Sequence, residues 1–94
     1  VRVAEELFLS DLKPDMVIGL EAPEPLYLAA VVEKIMFRCV ELRATLSRFR
    51  TIQELLQARE HFGPPFRLHA NRTGEFVNEQ DQQVRVFRMV ETTA

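Results

Sequence analysis

The chain has 94 residues, 47% hydrophobic and 28% charged, with a formal net charge of −2, the mixture of one folding domain with a single core and not that of a disordered chain. This balance lacks the strong positive charge of typical nucleic-acid binders, and one cysteine, Cys39, excludes an intrachain disulfide and a cysteine-built zinc site. No stretch approaches the ~18 consecutive apolar residues of a membrane span, and the first residues lack the basic-then-apolar layout of a signal peptide, so a cytoplasmic protein without membrane contact is the expectation.

In chain order, "VRVAEELFL" (1–9) suits a short strand running into a turn or helical turn, and "SDLKPD" is a loop by composition. "MVIGL" (16–20) is a compact apolar run that reads as a buried strand, in which Gly19 marks a bulge or a close backbone approach. The segment "EAPEP" then places Glu21 and Glu24 around two prolines. Proline suits a first helical turn, where its missing N–H would have no partner, and acids there complement the exposed backbone N–H groups.

From Pro25 to about Arg48, steps of three and four place Val32, Ile35, Cys39, Leu42, Leu46 and Phe49 on one seam. Lys34, Arg38, Glu41, Thr45 and Arg48 form a polar seam, so the spacing predicts a helix. Two competitors remain open. The β-branched residues Val31, Val32, Ile35, Val40 and Thr45 allow two strands turning at Glu33 and Lys34, and alternatively the helix stops near Met36 and "FRCVELR" is a strand. A second helix is predicted over about 52–62: Thr51 and Glu54 have capping-box spacing, and Gly63, suited to the left-handed conformation, precedes two prolines. From Pro65 the period becomes two, with a strand through Phe66, Leu68 and Ala70, a turn at "NRTG", a return strand at "EFV", a polar loop and a last strand in "VRVFRMVE".

The expected architecture is a single α+β domain over 1–94, a mostly antiparallel sheet of four to five strands covered by two helices at about 25–48 and 52–62. The alternative is a small β-barrel with one helix. In its strand version, "GLEAPEPLYLAAVVEKI" resembles the first strands of Tudor-like small barrels, over less than a fifth of the chain. That resemblance implies an aromatic cage for methylated side chains, but the chain has no Trp and a single Tyr, Tyr27.

Charge is unevenly spread. Residues 1–33 carry Arg2 and Lys13 against seven acids, residues 34–72 carry eight Lys and Arg against three acids, and 73–94 carry two Arg against four acids. Neutralisation within the fold or across a self-association interface is the ordinary outcome of such blocks. Arg43, Arg48 and Arg50 around Phe49 are the candidate nucleic-acid contacts, since arginines bind phosphate and exposed aromatics stack on bases. A pocket for a small ligand is drawn between sheet and helices from Tyr27, Phe37 and His69. Glu21 and Glu24 read as a helix start before they read as paired catalytic carboxylates. Cys39 lies on the apolar seam and reads as a buried inert thiol, the sequon "NRT" (71–73) as a turn, His69 as a solvated or locally hydrogen-bonded side chain, and His61, with Arg59, as a complement to the dipole in the last turn of the second helix.

No phosphate-binding glycine loop, nucleophile elbow or zinc helix occurs, so no catalytic residue, metal or cofactor is assigned. The leading expectation is a small non-enzymatic cytoplasmic domain that self-associates as a homodimer, because its first helix carries more apolar surface than one sheet covers, and that binds or regulates a protein partner. A nucleic-acid-associated regulator using the arginine cluster is the alternative, and a small-ligand-binding domain the third.

Overall fold

The computed structural model describes residues 1–21 and 27–91, with Tyr27 described in its backbone alone. Among these residues are seven strands: β1 (Arg2–Glu6), β2 (Val17–Glu21), β3 (Tyr27–Met36), β4 (Cys39–Thr45), β5 (Phe66–Ala70), β6 (Phe76–Val77) and β7 (Gln83–Val90). They form one antiparallel sheet in the order β1-β7-β2-β3-β4-β5-β6, and β6 pairs with β7 as well. The first two residues of β7 meet β6, through Phe76↔Val84 and Val77↔Gln83, while its later residues lie between β2 and β1. The sheet therefore closes as a six-stranded ring, with β1 continuing along β7 where β6 ends.

This overturns the two-helix α+β expectation. One short helix, α1 (Ile52–Gln57), and two 3-10 turns, Leu9–Asp11 and Arg59–His61, are the helical elements of the described residues. The segment expected as the first helix is instead the β3–β4 hairpin, paired from Ala29↔Thr45 to Met36↔Cys39. Its turn lies at Phe37 and Arg38, whereas the two-strand competitor placed it at Glu33 and Lys34. The residues proposed to start the helix, 22–26, lie outside the described ones, but Glu21 ends β2 as a strand residue.

The helical spacing was produced by a bulge and by burial on both faces. Val32 pairs with Leu42 but Lys34 with Glu41, so Glu33 is the extra residue of β3 and the alternation slips there. Ala30 and Val32 point into the ring, whose interior cluster also holds Ile18, Leu20, Val40, Leu42, Leu68, Phe76 and Val86. Ala29 and Val31 point outward and are buried as well, beside Val17, beneath Leu55 and Phe62. Strand residues buried on both sides read as a continuous apolar run.

Six residues are too few for a helix to persist alone. Burial of Leu55 against the outer face of β2 and β3 holds α1, with Thr51 Oγ1 accepting the Glu54 N–H at 3.1 Å as its cap. Glu54 does reach back, but to the N–H of Arg50, one residue before the cap. Gly63 does not take the left-handed conformation expected of it. Its N–H donates to the Ala44 carbonyl at 3.1 Å instead, pinning the helix exit to β4. Arg59 ties the same exit to the bulge, donating to Asp15 at 2.9 Å and to Glu33. Its guanidinium is held above its ordinary value, chiefly by the Asp15 hydrogen bond and against the effect of burial, so it stays charged.

Gly19 is a site of close approach, as its place in β2 suggested. A Cβ there would lie 2.6 Å from Val3 Cγ1 and 3.1 Å from Met89 Sδ, because the side chains of β1 and β7 fold over it on the outer face. Gly19→Ala is expected to cost about 1–3 kcal/mol through this overlap, read as a lower urea midpoint, and Val3→Ala in the same chain should recover part of the loss. An unchanged midpoint in the single variant would mean that β1 does not lie across Gly19.

Candidate functional site

β3 and β4 are joined by two residues, Phe37 and Arg38, with Met36 facing Cys39 across the ladder. Arg38 adopts φ 55°, the left-handed region that glycine or asparagine takes at low cost, so nothing in its identity announces the turn. Phe37 projects from the tip at 91% exposure, the most exposed large apolar side chain among the described residues. The guanidinium carbon of Arg38 lies 5.6 Å from the ring centroid, a cation–π contact that occupies one face of the phenyl group.

Below the tip, the outer face of the sheet carries a cross-strand row. Met36 faces Cys39, Cys39 faces His69, His69 faces Val77 and Val77 faces Gln83, so the row crosses β3, β4, β5, β6 and β7. These residues alternate with inward-pointing Val40, Leu68, Phe76 and Val84, which places them on the outside. The next row down is Lys34, Glu41 and Arg67, with Arg67 Nε 3.9 Å from the Glu41 carboxylate. α1 covers the outer face of β2 and β3; no described helix packs on this one.

Ion pairing decides which charges remain. The acids of the first third are largely consumed: Glu5 by Arg88, Glu6 and Glu21 by Arg85, Asp15 and Glu33 by Arg59. Asp11 accepts the Phe8 N–H at 2.8 Å. Lys34, Arg38, Arg48, Arg50 and Arg72 make no ion pair with a described residue. Three of these, Lys34, Arg38 and Arg72, gather at the hairpin end, since the Ala70 N–H donates to the Arg38 carbonyl at 2.9 Å and Arg72 follows in the turn after β5.

The residues singled out from the sequence are scattered over this frame. Arg43 is a structural clamp: its guanidinium donates to the carbonyls of Gly63, Glu60 and Phe62 at 3.2, 3.3 and 3.1 Å. Arg48 and Arg50 are exposed in the loop after β4, beside Leu46 at 71% exposure, at the opposite end of that strand from Phe37. Phe49 packs against the cluster under α1, its ring 6.2 Å from Phe62, and is not free to stack on a base. Phe37 and His69 share the hairpin end, whereas Tyr27 begins β3, about 30 Å of extended strand from its tip. The pocket was drawn between sheet and helices, and the segment expected as the first of those helices is the β3–β4 hairpin.

Glu21 is a strand-end partner of Arg85 at 3.3 Å, and Glu24 lies outside the described residues. Cys39 is buried and faces His69, but that imidazole makes no hydrogen bond with a described residue, so nothing orients it toward the thiol. Asn71 Oδ1 accepts from the N–H groups of Thr73 and Glu75, which makes the sequon the turn it was read as. No group of three His, Cys, Asp or Glu side chains among the described residues is placed to hold a metal ion. No described helix is long and apolar enough to cross a membrane.

The outer row was missed by sequence reasoning because Met36 and Cys39 were assigned to helix and because β6 is two residues long. The available signal was the period-two run Phe66 to Ala70, which already places Arg67 and His69 on one face. Comparison of the chain with protein-family models, with curated proteins and with solved structures finds no match.

Replacing Arg43 by Ala should lower stability by about 1–3 kcal/mol in urea unfolding, since three carbonyls lose a charged donor together. Arg43→Lys should restore only part, because an ammonium cannot reproduce the guanidinium fork. Full stability of the alanine variant would contradict the clamp.

Proposed function

We propose that this chain is a non-enzymatic binding module for a protein partner in the cytoplasm, and that it engages the partner through the outer face of β3, β4 and β5 with Phe37 as the anchor. The carrying observation is the 91% exposure of Phe37 at a hairpin tip closed by the Met36↔Cys39 pair and braced by β5 through Cys39↔His69. A phenyl group so placed gains on the order of 2 kcal/mol when a partner covers it, and a rigid strand frame lowers the ordering cost of docking. A buried free thiol fits a reducing compartment.

Self-association loses the long helix on which it rested, since Val32, Val40 and Leu42 face the ring interior and Val31 lies under α1, while Phe37 and Leu46 stay exposed. The nucleic-acid reading loses Arg43 to the backbone and Phe49 to the core, which leaves Arg48 and Arg50. Catalysis has no support from the ion-paired carboxylates, which hold strand ends and the helix exit together.

The test is affinity capture from cell extract with the native chain and with Phe37→Ser, quantified side by side. A partner protein retained by the native chain and lost at least severalfold by the variant is the expected result, with both proteins melting at the same temperature, since Phe37 contributes nothing to the core. Equal retention of every captured protein would remove the hairpin face as the binding surface.

A further inference from the structure

Resting on the reading of the chain as a protein-binding module, we infer that the partner presents an acidic extended segment bearing an aliphatic side chain, laid across β3, β4 and β5 beside the row Met36, Cys39 and His69. Charge selects the class. At the hairpin end the outer face carries Lys34 and Arg67, and the adjoining turns carry Arg38 and Arg72, against two carboxylates, Glu41 and Glu75, although the whole chain has a net charge of −2. Both carboxylates already have partners on this face: Glu41 faces Arg67, and Glu75 accepts from Thr73 Oγ1 and Gln83 Nε2. Lys34, Arg38 and Arg72 have no described counter-ion, and an acidic segment supplies it.

The charge also sets the direction. Glu79 and Asp81 lie in the loop after Val77, at the far end of the row. Acidic side chains of a partner are repelled there and attracted at the β3–β5 end, where the unpaired cations gather. The two inter-strand spacings from β3 to β5, about 4.8 Å each, are crossed by an extended segment of roughly four residues, at about 3.3 Å per residue.

Aliphatic contact, and not base stacking, matches the middle of this face. Met36 and Val77 offer no ring and Cys39 is buried; the rings at this end are the His69 imidazole and Phe37, one face of which is occupied by the Arg38 guanidinium. A single-stranded nucleic acid shares the negative charge but draws its sequence-tolerant affinity from stacked aromatics, which this face lacks in series. A polymethylene or branched side chain beside a carboxylate satisfies both halves of the surface.

Fluorescence anisotropy with labelled peptides of about eight residues, rich in Glu and Asp around a central Leu pair, tests the inference. The controls are the same peptide with Ser for Leu, its Lys-for-acid counterpart, and an oligothymidylate of equal length. The acidic Leu peptide is expected to bind at least about tenfold more tightly than each control. Its affinity should fall as salt is raised from about 0.05 to 0.3 M, over which the Debye length shrinks from ~14 to ~6 Å. Lys34→Glu/Arg38→Glu should abolish binding, and Arg72→Glu, in an exposed turn outside every strand, should weaken it severalfold without touching the fold.

Three results would overturn the inference: undiminished binding by both charge-reversal variants, tighter binding of the oligothymidylate, or no binding of the acidic Leu peptide. Should the acidic peptide fail while Phe37→Ser still loses a captured protein, the acidic class falls and the binding-module reading stands. Should capture also be indifferent to Phe37, both fall.

Discussion

The pairing of Gln83 and Val84 with β6 is the constraint on which the architecture depends. β7 reaches β6 with its first two residues and passes between β2 and β1 with the rest, so one eight-residue strand closes the ring. Closure pairs β6, the strand that would otherwise end the sheet, and leaves β1 with β7 as its one partner. It also gives every inward side chain a wall on the opposite side, which lets Ile18, Val32, Val40, Leu42, Leu68 and Val86 be fully or almost fully buried in a domain this small. With the interior sealed, the outer face divides in two. The part over β2 and β3 is apolar and takes α1, and the part over the β3–β4 tip, β5 and β6 is mixed and basic.

That division rests on ion pairs whose energetic worth is small. All but the half-buried Arg59–Glu33 pair are exposed on at least one side, and such exposed pairs contribute roughly 0–1 kcal/mol. Their effect is on where charge is left over. Arg59, Arg85 and Arg88 absorb the acids of the first third, and the cations of the β3–β4 hairpin and the turn after β5 keep none of them. A chain with an overall negative charge thereby presents a locally positive face next to its most exposed aromatic ring.

Much of the second half was legible in the residues. β5 follows period two, the Asn71 turn has Gly74 at φ 87°, the last strand is marked by its β-rich composition although it alternates imperfectly, and Thr51 caps a helix where its spacing with Glu54 predicts one. The first half was not legible, for identifiable reasons. The Glu33 bulge shifts the alternation of β3 by one residue, and α1 buries the side of Ala29 and Val31 that a half-exposed strand would have left polar. The Phe37–Arg38 turn carries neither glycine nor asparagine. Together these made Val32, Ile35, Cys39 and Leu42 look like one helical stripe, although Cys39 points away from the other three. The site suffered from the same error, since a row across five strands cannot be drawn until the strands are known. Phe37 and His69 were picked out, but together with Tyr27, which begins β3 at the other end of the strand.

Backbone connectivity by NMR tests the closed ring and its hairpin most directly. Cross-strand NOEs should link the neighbourhoods of Phe76 with Val84, Cys39 with His69, and Met36 with Cys39, and the slowest-exchanging amides should lie in β2, β3 and β7. Sequential i to i+3 contacts through residues 31–42, with no contact between Phe76 and Val84, would mean that the segment is a helix and the ring is open, and the outer face proposed here would not exist.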